Sequence, residues 1–133
     1  MTTVQELRVV VTVDDYDAAL GFYRDALGLE EFAAYAAPNG GRVTLLAAGR
    51  ATLELADAAQ AQYIDQVEVG RRVAGHVRLA LRVDDVEEVT AAATARGAEL
   101  IAAPTPTPWN SRNARLTAVD GNQLTLFEQL AEE

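Results

Sequence analysis

The sequence predicts an α+β fold in which two tandem β-α-β-β-β units form a curved mixed sheet around a cleft, with helices on the outer face. Three observations predict it: an internal repeat, an alternating apolar strand that opens each half, and turn residues that separate three more strands in each half. Three features of the repeat recur 69 to 71 residues later. They are VTVDD at 11–15 with LRVDD at 81–85, glycine at 28 and 97, and LEL at 53–55 with LTL at 124–126.

Each unit opens on a strand with two different faces. Apolar residues occupy positions 7, 9, 11 and 13, and again 77, 79, 81 and 83, while most of the residues between them are polar. Successive side chains of a strand point to opposite faces, so one face is predicted to pack against a helix. On this register Val9, Val11, Leu79 and Leu81 lie beneath the helices, whereas the intervening side chains face the cleft.

A helix follows each opening strand. The aspartate pairs at 14–15 and 84–85 predict N-caps, because a carboxylate accepts from the free backbone N–H groups and favours the positive end of the helix dipole. Glycines at 28 and 97 predict left-handed C-caps. In the first helix, the 4-3-4 spacing of four apolar residues predicts a buried stripe. These residues are Tyr16, Leu20, Tyr23 and Leu27.

Three strands complete each unit. They are predicted at 29–36, 42–48 and 51–55, and at 98–103, 113–119 and 123–128. The loop 104–110 has three prolines and cannot join a central strand. The chain is therefore interpreted as one domain over 1–133, with repeat one at about 7–55, an alanine-rich and partly helical linker at 56–75, and repeat two at about 76–128.

Composition excludes several classes of function. The chain has no cysteine, which excludes disulfides, thiolate metal ligands and a cysteine nucleophile. Its formal net charge of −9 opposes binding to nucleic acid phosphates. No apolar run reaches the roughly 20 residues of a membrane span. The first six residues do not resemble a secretory signal, so a cytoplasmic location is expected.

The second face of the strands collects polar side chains and is the predicted ligand site. Two twisted sheets with helices outside leave this face concave, and a concave surface with convergent polar groups is the usual place for a ligand. The alternative is an ordinary solvated sheet face. The candidate ligand-binding residues on this face are Arg8, Thr12, Glu54, His76, Arg78, Arg115 and Thr125.

The repeat and its motifs resemble the vicinal-oxygen-chelate superfamily. This superfamily contains glyoxalase I, extradiol dioxygenases, and fosfomycin and bleomycin resistance proteins. VDD at 13–15 followed by FYRDALGL at 22–29 is similar to its opening motif, and DGN at 120–122 is similar to its last turn. The resemblance covers about residues 7–128 and implies the fold more specifically than the function.

The resemblance also implies a divalent metal site, which this sequence departs from. Of the four positions that usually hold the ligands, Glu54 retains a carboxylate, whereas the others are Arg8, Arg78 and Thr125. A guanidinium is always protonated and has no lone pair for a metal. We therefore expect no metal and no other cofactor, and an arginine–glutamate cluster in that place. A site built on His76, two residues before Arg78 on the same strand face, is the alternative.

Trp109 is the only tryptophan. Its surroundings, PWNSR at 108–112, resemble the W-G-x-R stretch of bleomycin-resistance-like members, with asparagine in place of glycine. A stiff loop that presents one indole is suited to stacking on a flat ligand. The competing interpretation is that Trp109 covers the open end of the sheet or packs at a subunit contact.

Together these features predict a metal-free small-molecule binding protein of the bleomycin-resistance-like branch. The predicted partner is an antibiotic-like or natural-product-like ligand with a planar or partly aromatic body, and the resemblance implies a homodimer. One alternative is an enzyme: a glyoxalase-like lyase or isomerase, or a dioxygenase, using Glu54 and His76, or a metal-free catalyst with Glu54 as its base. The other is an accessory subunit whose cleft is a protein interface.

Overall fold

A computed structural model describes residues 4–131, whose eight strands form one open mixed sheet. The order across the sheet is β2-β3-β4-β1-β5-β8-β7-β6, so each unit contributes four adjacent strands and its opening strand lies at the centre. The predicted α+β fold of two repeated units is confirmed. The strands are β1 Glu6–Thr12, β2 Glu30–Ala36, β3 Arg42–Ala48, β4 Ala51–Ala56, β5 Val77–Arg82, β6 Glu99–Pro106, β7 Ser111–Thr117 and β8 Gln123–Gln129.

The two units meet at an antiparallel pairing of β1 with β5. Val9 lies opposite Leu79, Arg8 lies opposite Ala80, and Val10 lies opposite Arg78. Because Arg8 and Arg78 are repeat-equivalent residues, this reciprocal register places a pseudo-twofold axis near Val9 and Leu79. Each opening strand also pairs in parallel with the last strand of its own unit, β1 with β4 and β5 with β8.

The helices of the two repeats begin as the sequence predicts. Helix α1 spans Tyr16–Leu20 and continues as π-helix over Gly21–Ala26, and α3 spans Val86–Ala95. The side chains of Asp15 and Asp85 cap α1 and α3, accepting from the backbone N–H groups of Ala18 and Glu88 at 3.0 and 3.1 Å. Helix α3 packs on the outer face of the second unit, in a core with buried residues Val83, Val86, Ala114, Leu116 and Leu126.

The apolar stripe of the first helix is only partly buried. Tyr16 is buried, but Leu27 is 58% exposed. The π-helical turn explains the difference, because its i→i+5 hydrogen bonds rotate the later side chains away from a stripe set at α-helical spacing. Leu27 also caps that turn, where the chain leaves the helix.

The predicted loop at 104–110 is partly a strand. Strand β6 continues through Pro104 to Pro106, and it is an edge strand with two register irregularities. An edge strand tolerates proline because one side of its backbone needs no donor. The prolines therefore did not exclude a strand, but they are kept out of the centre of the sheet.

The linker forms a third helix, α2, at Ala58–Glu68, which begins at an Asp57 N-cap. Unlike α1 and α3, it lies over the polar face of the sheet, because its Asp65 and Glu68 bind the side chain of Arg115 on β7. Over residues 4–131, none of the helices is long and apolar enough to cross a membrane.

Candidate functional site

The concave face of the sheet and helix α2 line a cavity of about 620 Å³. This volume is within the roughly 300–1,000 Å³ that is usual for small-molecule sites. Charged side chains from the central strands form its floor, α2 forms one wall, and aromatic side chains stand around it. The floor and wall residues used below are Arg8, Glu54, Gln60, Tyr63, Glu68, Arg78, Trp109, Asn113 and Thr125.

The strand register explains why the floor is charged. Val10 on β1 pairs with Glu54 on β4 and with Arg78 on β5, so these three side chains share one face of the sheet. Glu54 and Arg78 lie on the two strands that flank β1, and each is only 7% exposed. The arginines of the two opening strands therefore face the cavity rather than the helices of the repeats, as the alternation of the sequence predicts.

Of the four positions that the resemblance implies as metal ligands, three hold residues that do not suit a metal ion: Arg8, Arg78 and Thr125. Arg78 Nη1 donates to Thr125 Oγ1 at 2.8 Å, and Arg8 Nη1 lies 3.9 Å from Glu54 Oε1. Two guanidinium groups thus converge where a cation would lie, and neither offers a lone pair. Within the described range, 4–131, no group of three or more histidine, aspartate or glutamate side chains could hold a metal ion.

Arg8 is held in place by two neighbours. Its Nε donates to Glu6 Oε2 at 2.8 Å, and its guanidinium lies over the ring of Phe127, 4.8 Å from the centroid. Nη2 makes a longer hydrogen bond to Glu6 Oε1 at 3.3 Å. Nη1 of Arg8 therefore remains directed towards Glu54 without a hydrogen-bond partner among residues 4–131.

Glu54 is a buried carboxyl group whose oxygens accept no hydrogen bond from any residue of the described chain. Burial raises the pKa of Glu54, the charges of Arg78 and Arg8 oppose that rise, and Glu68 and Glu6 add to it. The net pKa lies above the ordinary value. A buried carboxyl group that has a raised pKa and lines a cavity is a candidate for ligand recognition or proton transfer.

Glu54→Gln is expected to stabilise the fold at neutral pH, by about 0.5–2 kcal/mol. The pKa of Glu54 is raised on folding, so its contribution to stability is full below the unfolded pKa and is lost as the pH rises through the folded pKa. Urea denaturation at about pH 7.5 and about pH 4 should show the gain at the higher pH alone. The exposed Glu99→Gln is the control, and an equal gain at both pH values would contradict this account.

A second cluster anchors helix α2 to the sheet. Arg115 is 0% exposed, and it donates from Nη1 to Asp65 Oδ1 at 2.8 Å and from Nη2 to Glu68 Oε1 at 3.0 Å. Glu68 also accepts from Asn113 Nδ2 at 2.9 Å and from Thr125 Oγ1 at 3.1 Å. Every member of this anchor cluster is buried and hydrogen-bonded, which is the condition under which buried charges are tolerated.

The carboxyl group of Asp65 is ionised in this setting. Burial alone would raise its pKa, but the backbone N–H groups of Ala74 and Val73 and the Arg115 guanidinium outweigh burial, so the pKa of Asp65 is lowered. Arg72 Nη1 also donates to its Oδ2 at 2.9 Å. The anchor of α2 is therefore a charged pair at neutral pH.

Aromatic side chains flank the charged floor. The rings of Tyr63 on α2 and Trp109 in the β6–β7 loop lie 6.1 Å apart with a tilt of 53°. Trp109 is 40% exposed and lines the cavity, as do the exposed rings of Phe32 and Tyr35 on β2. Ring centroids at this distance are typical of two aromatic side chains that pack on each other, so Tyr63 and Trp109 form one aromatic surface beside the floor.

The structure separates the residues that the sequence placed on one face. Arg8, Glu54, Arg78, Trp109 and Thr125 line the main cavity. The other three candidates, Thr12, His76 and Arg115, do not: Thr12 borders a small void beneath α2, His76 is exposed, and Arg115 is buried in the anchor cluster.

Sequence reasoning missed the contribution of α2. Gln60, Tyr63 and Glu68 line the cavity from this helix, and the expected linker had no assigned role. One signal was present, because Asp65 and Glu68 are three residues apart and so lie on one face of a helix. That face meets the arginine of β7, which the sequence alone does not pair with it.

Solved structures share this architecture. A hypothetical protein from Bacillus halodurans is 18% identical, with a TM-score of 0.71 over 99% of this chain and 97% of that chain. Methylmalonyl-CoA epimerase from Mycobacterium tuberculosis is 24% identical, with a TM-score of 0.68 over 96% and 90%. A Streptomyces coelicolor methylmalonyl-CoA epimerase variant in complex with 2-nitronate-propionyl-CoA is 21% identical, with a TM-score of 0.70 over 97% and 100%. At these identities the likeness shows the fold alone.

No curated protein matches the chain. A family model does: the one described as the Glyoxalase/Bleomycin resistance protein/Dioxygenase superfamily matches residues 7–126. The match covers all eight strands except the first residue of β1 and the last three of β8, and it agrees with the repeated units of the sheet. The chain therefore belongs to the Glyoxalase/Bleomycin resistance protein/Dioxygenase superfamily.

Proposed function

We propose that this protein binds a small molecule with a planar or partly aromatic body in its concave cavity, without a metal ion, in the manner of an antibiotic- or natural-product-binding member of the superfamily. The observation that carries the proposal is the replacement of a metal-ligand set by Arg8, Arg78 and Thr125, with Arg78 bonded to Thr125 at 2.8 Å. Charged donors of this kind orient a ligand directly rather than through a metal.

The aromatic surroundings support the same proposal. Tyr63 on α2 and Trp109 in the β6–β7 loop form an aromatic pair at the cavity wall, with their ring centroids 6.1 Å apart. A flat body placed against either ring buries a large apolar area, while its polar groups reach the charged floor. Neither ring depends on a metal for its position.

The proposal is tested by a thermal-shift screen of natural-product antibiotics, followed by titration of each stabilising compound. Because Trp109 is the only indole, its emission reports directly on a ligand that stacks there. A compound that raises the melting temperature and shifts this emission is the expected result. If no compound from a chemically broad collection stabilises the protein or alters its emission, the binding function is rejected.

A second candidate, proton transfer, is favoured by the state of Glu54. A buried carboxyl group with a raised pKa and no hydrogen bond is suited to removing a proton from carbon, and Arg8 and Arg78 could stabilise the enolate oxygen that forms. The fold likeness to methylmalonyl-CoA epimerases points to acyl thioesters as substrates to try. Exchange of their α-hydrogen for deuterium, lost in Glu54→Gln, would establish this activity.

The homodimer expected from the resemblance stays a prediction. Sedimentation at micromolar concentration tests it, with a dimer expected and a monomer contradicting it.

A further inference from the structure

The charges around the cavity floor balance one another. Arg8 is paired with Glu6 at 2.8 Å, and the buried guanidinium of β7 is paired with both acidic residues of α2. The charged residues that line the cavity are two carboxyl groups and two guanidinium groups. These are Glu54 and Glu68, with Arg8 and Arg78. The floor therefore offers no excess positive charge to a strongly anionic ligand.

Hydrogen-bonding capacity, in contrast, is left unused. Among residues 4–131, Glu54 accepts no hydrogen bond, and Nη1 of Arg8 makes none. Arg78 makes one hydrogen bond, from Nη1 to Thr125, although a guanidinium has five N–H groups. These groups line the cavity, so a ligand that enters it can supply their missing partners in place of water.

The distance between Arg8 and Glu54 limits which ligand groups can bind to both side chains. Arg8 Nη1 and Glu54 Oε1 are 3.9 Å apart, which is too far for a direct hydrogen bond and too close for an intervening side chain. A single hydroxyl oxygen can accept from one and donate to the other, and so can a group that carries its acceptor and donor atoms on the same carbon. A carboxamide, lactam or ureido group has this arrangement.

We propose that the cavity recognises a neutral carboxamide- or lactam-type group, whose carbonyl oxygen accepts from Arg8 Nη1 and whose N–H donates to Glu54 Oε1. This inference rests on the proposed binding function and names its ligand class. The second arginine of the floor, Arg78, is placed to donate to another lone pair of the same carbonyl or to a neighbouring acceptor.

The alternatives to a neutral group each leave one contact unfavourable. A carboxylate ligand satisfies Arg8 but sets its charge against Glu54. An amidinium ligand satisfies Glu54 but sets its charge against Arg8 and Arg78. Like charges brought together in a buried site are strongly disfavoured. The clash with a carboxylate requires the ionised form of Glu54, whose pKa is raised by burial, so the probes are compared at about pH 8.

The test uses three probes that share a phenyl ring and differ in the polar group: benzamide, benzoate and benzamidine. Binding is measured by ligand-observed NMR and by Trp109 emission. Benzamide is expected to bind at least about tenfold more tightly than either charged probe, because only it makes both charge-assisted hydrogen bonds without a like-charge contact. Tighter binding of benzoate or of benzamidine would overturn the inference.

Glu54→Gln provides the matched variant, since glutamine keeps the shape and removes the charge. The preference for benzamide over benzoate should fall by about tenfold in this variant, and it should be unchanged in the exposed Glu99→Gln. Thermal unfolding of both variants confirms that they fold. An unchanged preference in Glu54→Gln would also overturn the inference.

The two proposals fail in different ways. If a compound from the antibiotic screen binds but none of the three probes does, the ligand class is wrong and the binding function stands. If neither the screen nor the probes yield a ligand, the binding function fails, and the inference fails with it.

Discussion

Replacing Arg115 with methionine is expected to lower the free energy of unfolding by about 3–5 kcal/mol. The change leaves Glu68 buried without an ion-pair partner in the described chain and leaves Asp65 with Arg72 alone, and an uncompensated buried charge is far more costly than the lost attraction alone. Methionine preserves most of the apolar volume, so the loss reports the charge rather than a cavity. Urea denaturation at neutral pH measures it.

Arg112→Met is the matched control for this experiment. Arg112 is on the same strand, but its guanidinium is exposed and pairs with the exposed Glu87, so its removal should cost less than about 1 kcal/mol. Arg115→Lys should be intermediate, because lysine keeps the charge but loses the two-pronged geometry. A loss below about 1 kcal/mol in Arg115→Met would contradict the anchoring of α2 by buried ion pairs.

Trp109→Ala is expected to weaken ligand binding by about 1–3 kcal/mol, because a buried aromatic anchor typically contributes this much to an interface. The ligand is any compound found in the antibiotic screen, and calorimetry measures its affinity, since the variant has no indole to report. Trp109 is partly exposed and lies in a loop, so its removal should leave the melting temperature nearly unchanged.

Val119→Ala is the control for the tryptophan experiment. Val119 is the most exposed of the large apolar residues and does not line the cavity. Binding that is unaffected by Trp109→Ala would show that the indole covers the open end of the sheet, which is the competing interpretation of its position. The case for a bleomycin-resistance-like ligand would then depend on the lost metal-ligand positions alone.

Much of the fold could be predicted because each strand and helix of the repeated unit occurs twice in the sequence, so the two copies can be compared. The alternation in β1 and β5 is a local property, so it correctly placed Arg8 and Arg78 on one face. The π-helical turn after α1 could not be predicted in this way. It changes the helical period without a residue type that marks it, and Leu27 became exposed as a result.

The candidate site was predictable where it depends on strand register and not where it depends on tertiary packing. Docking of α2 decides that Arg115 is an anchor and that Tyr63 faces the cavity. That docking joins residues about 50 positions apart in the chain, which no local pattern encodes. The position of His76 differs from the prediction. The sequence placed it on the cleft face of β5, but β5 begins one residue later and the side chain of His76 is exposed.

The balance of charge in the floor also could not be read from the sequence. The concave face has more arginines than carboxylates when only its strands are counted, and such an excess favours an anionic or acceptor-bearing ligand. Helix α2 adds Asp65 and Glu68, and these neutralise the excess. Local pairs of this kind decide orientation at contact, whereas the net charge of −9 acts mainly on encounter rates.

The central claim is that the cavity binds its ligand without a metal, and elemental analysis combined with ligand titration tests it most directly. The purified protein is analysed for zinc, nickel, iron and manganese, and a compound from the antibiotic screen is then titrated before and after treatment with a chelator. The account predicts less than about one-tenth of a metal ion per chain and the same affinity in both titrations, because guanidinium groups occupy the ligand positions. About one metal ion per chain, with binding abolished by the chelator, would contradict it.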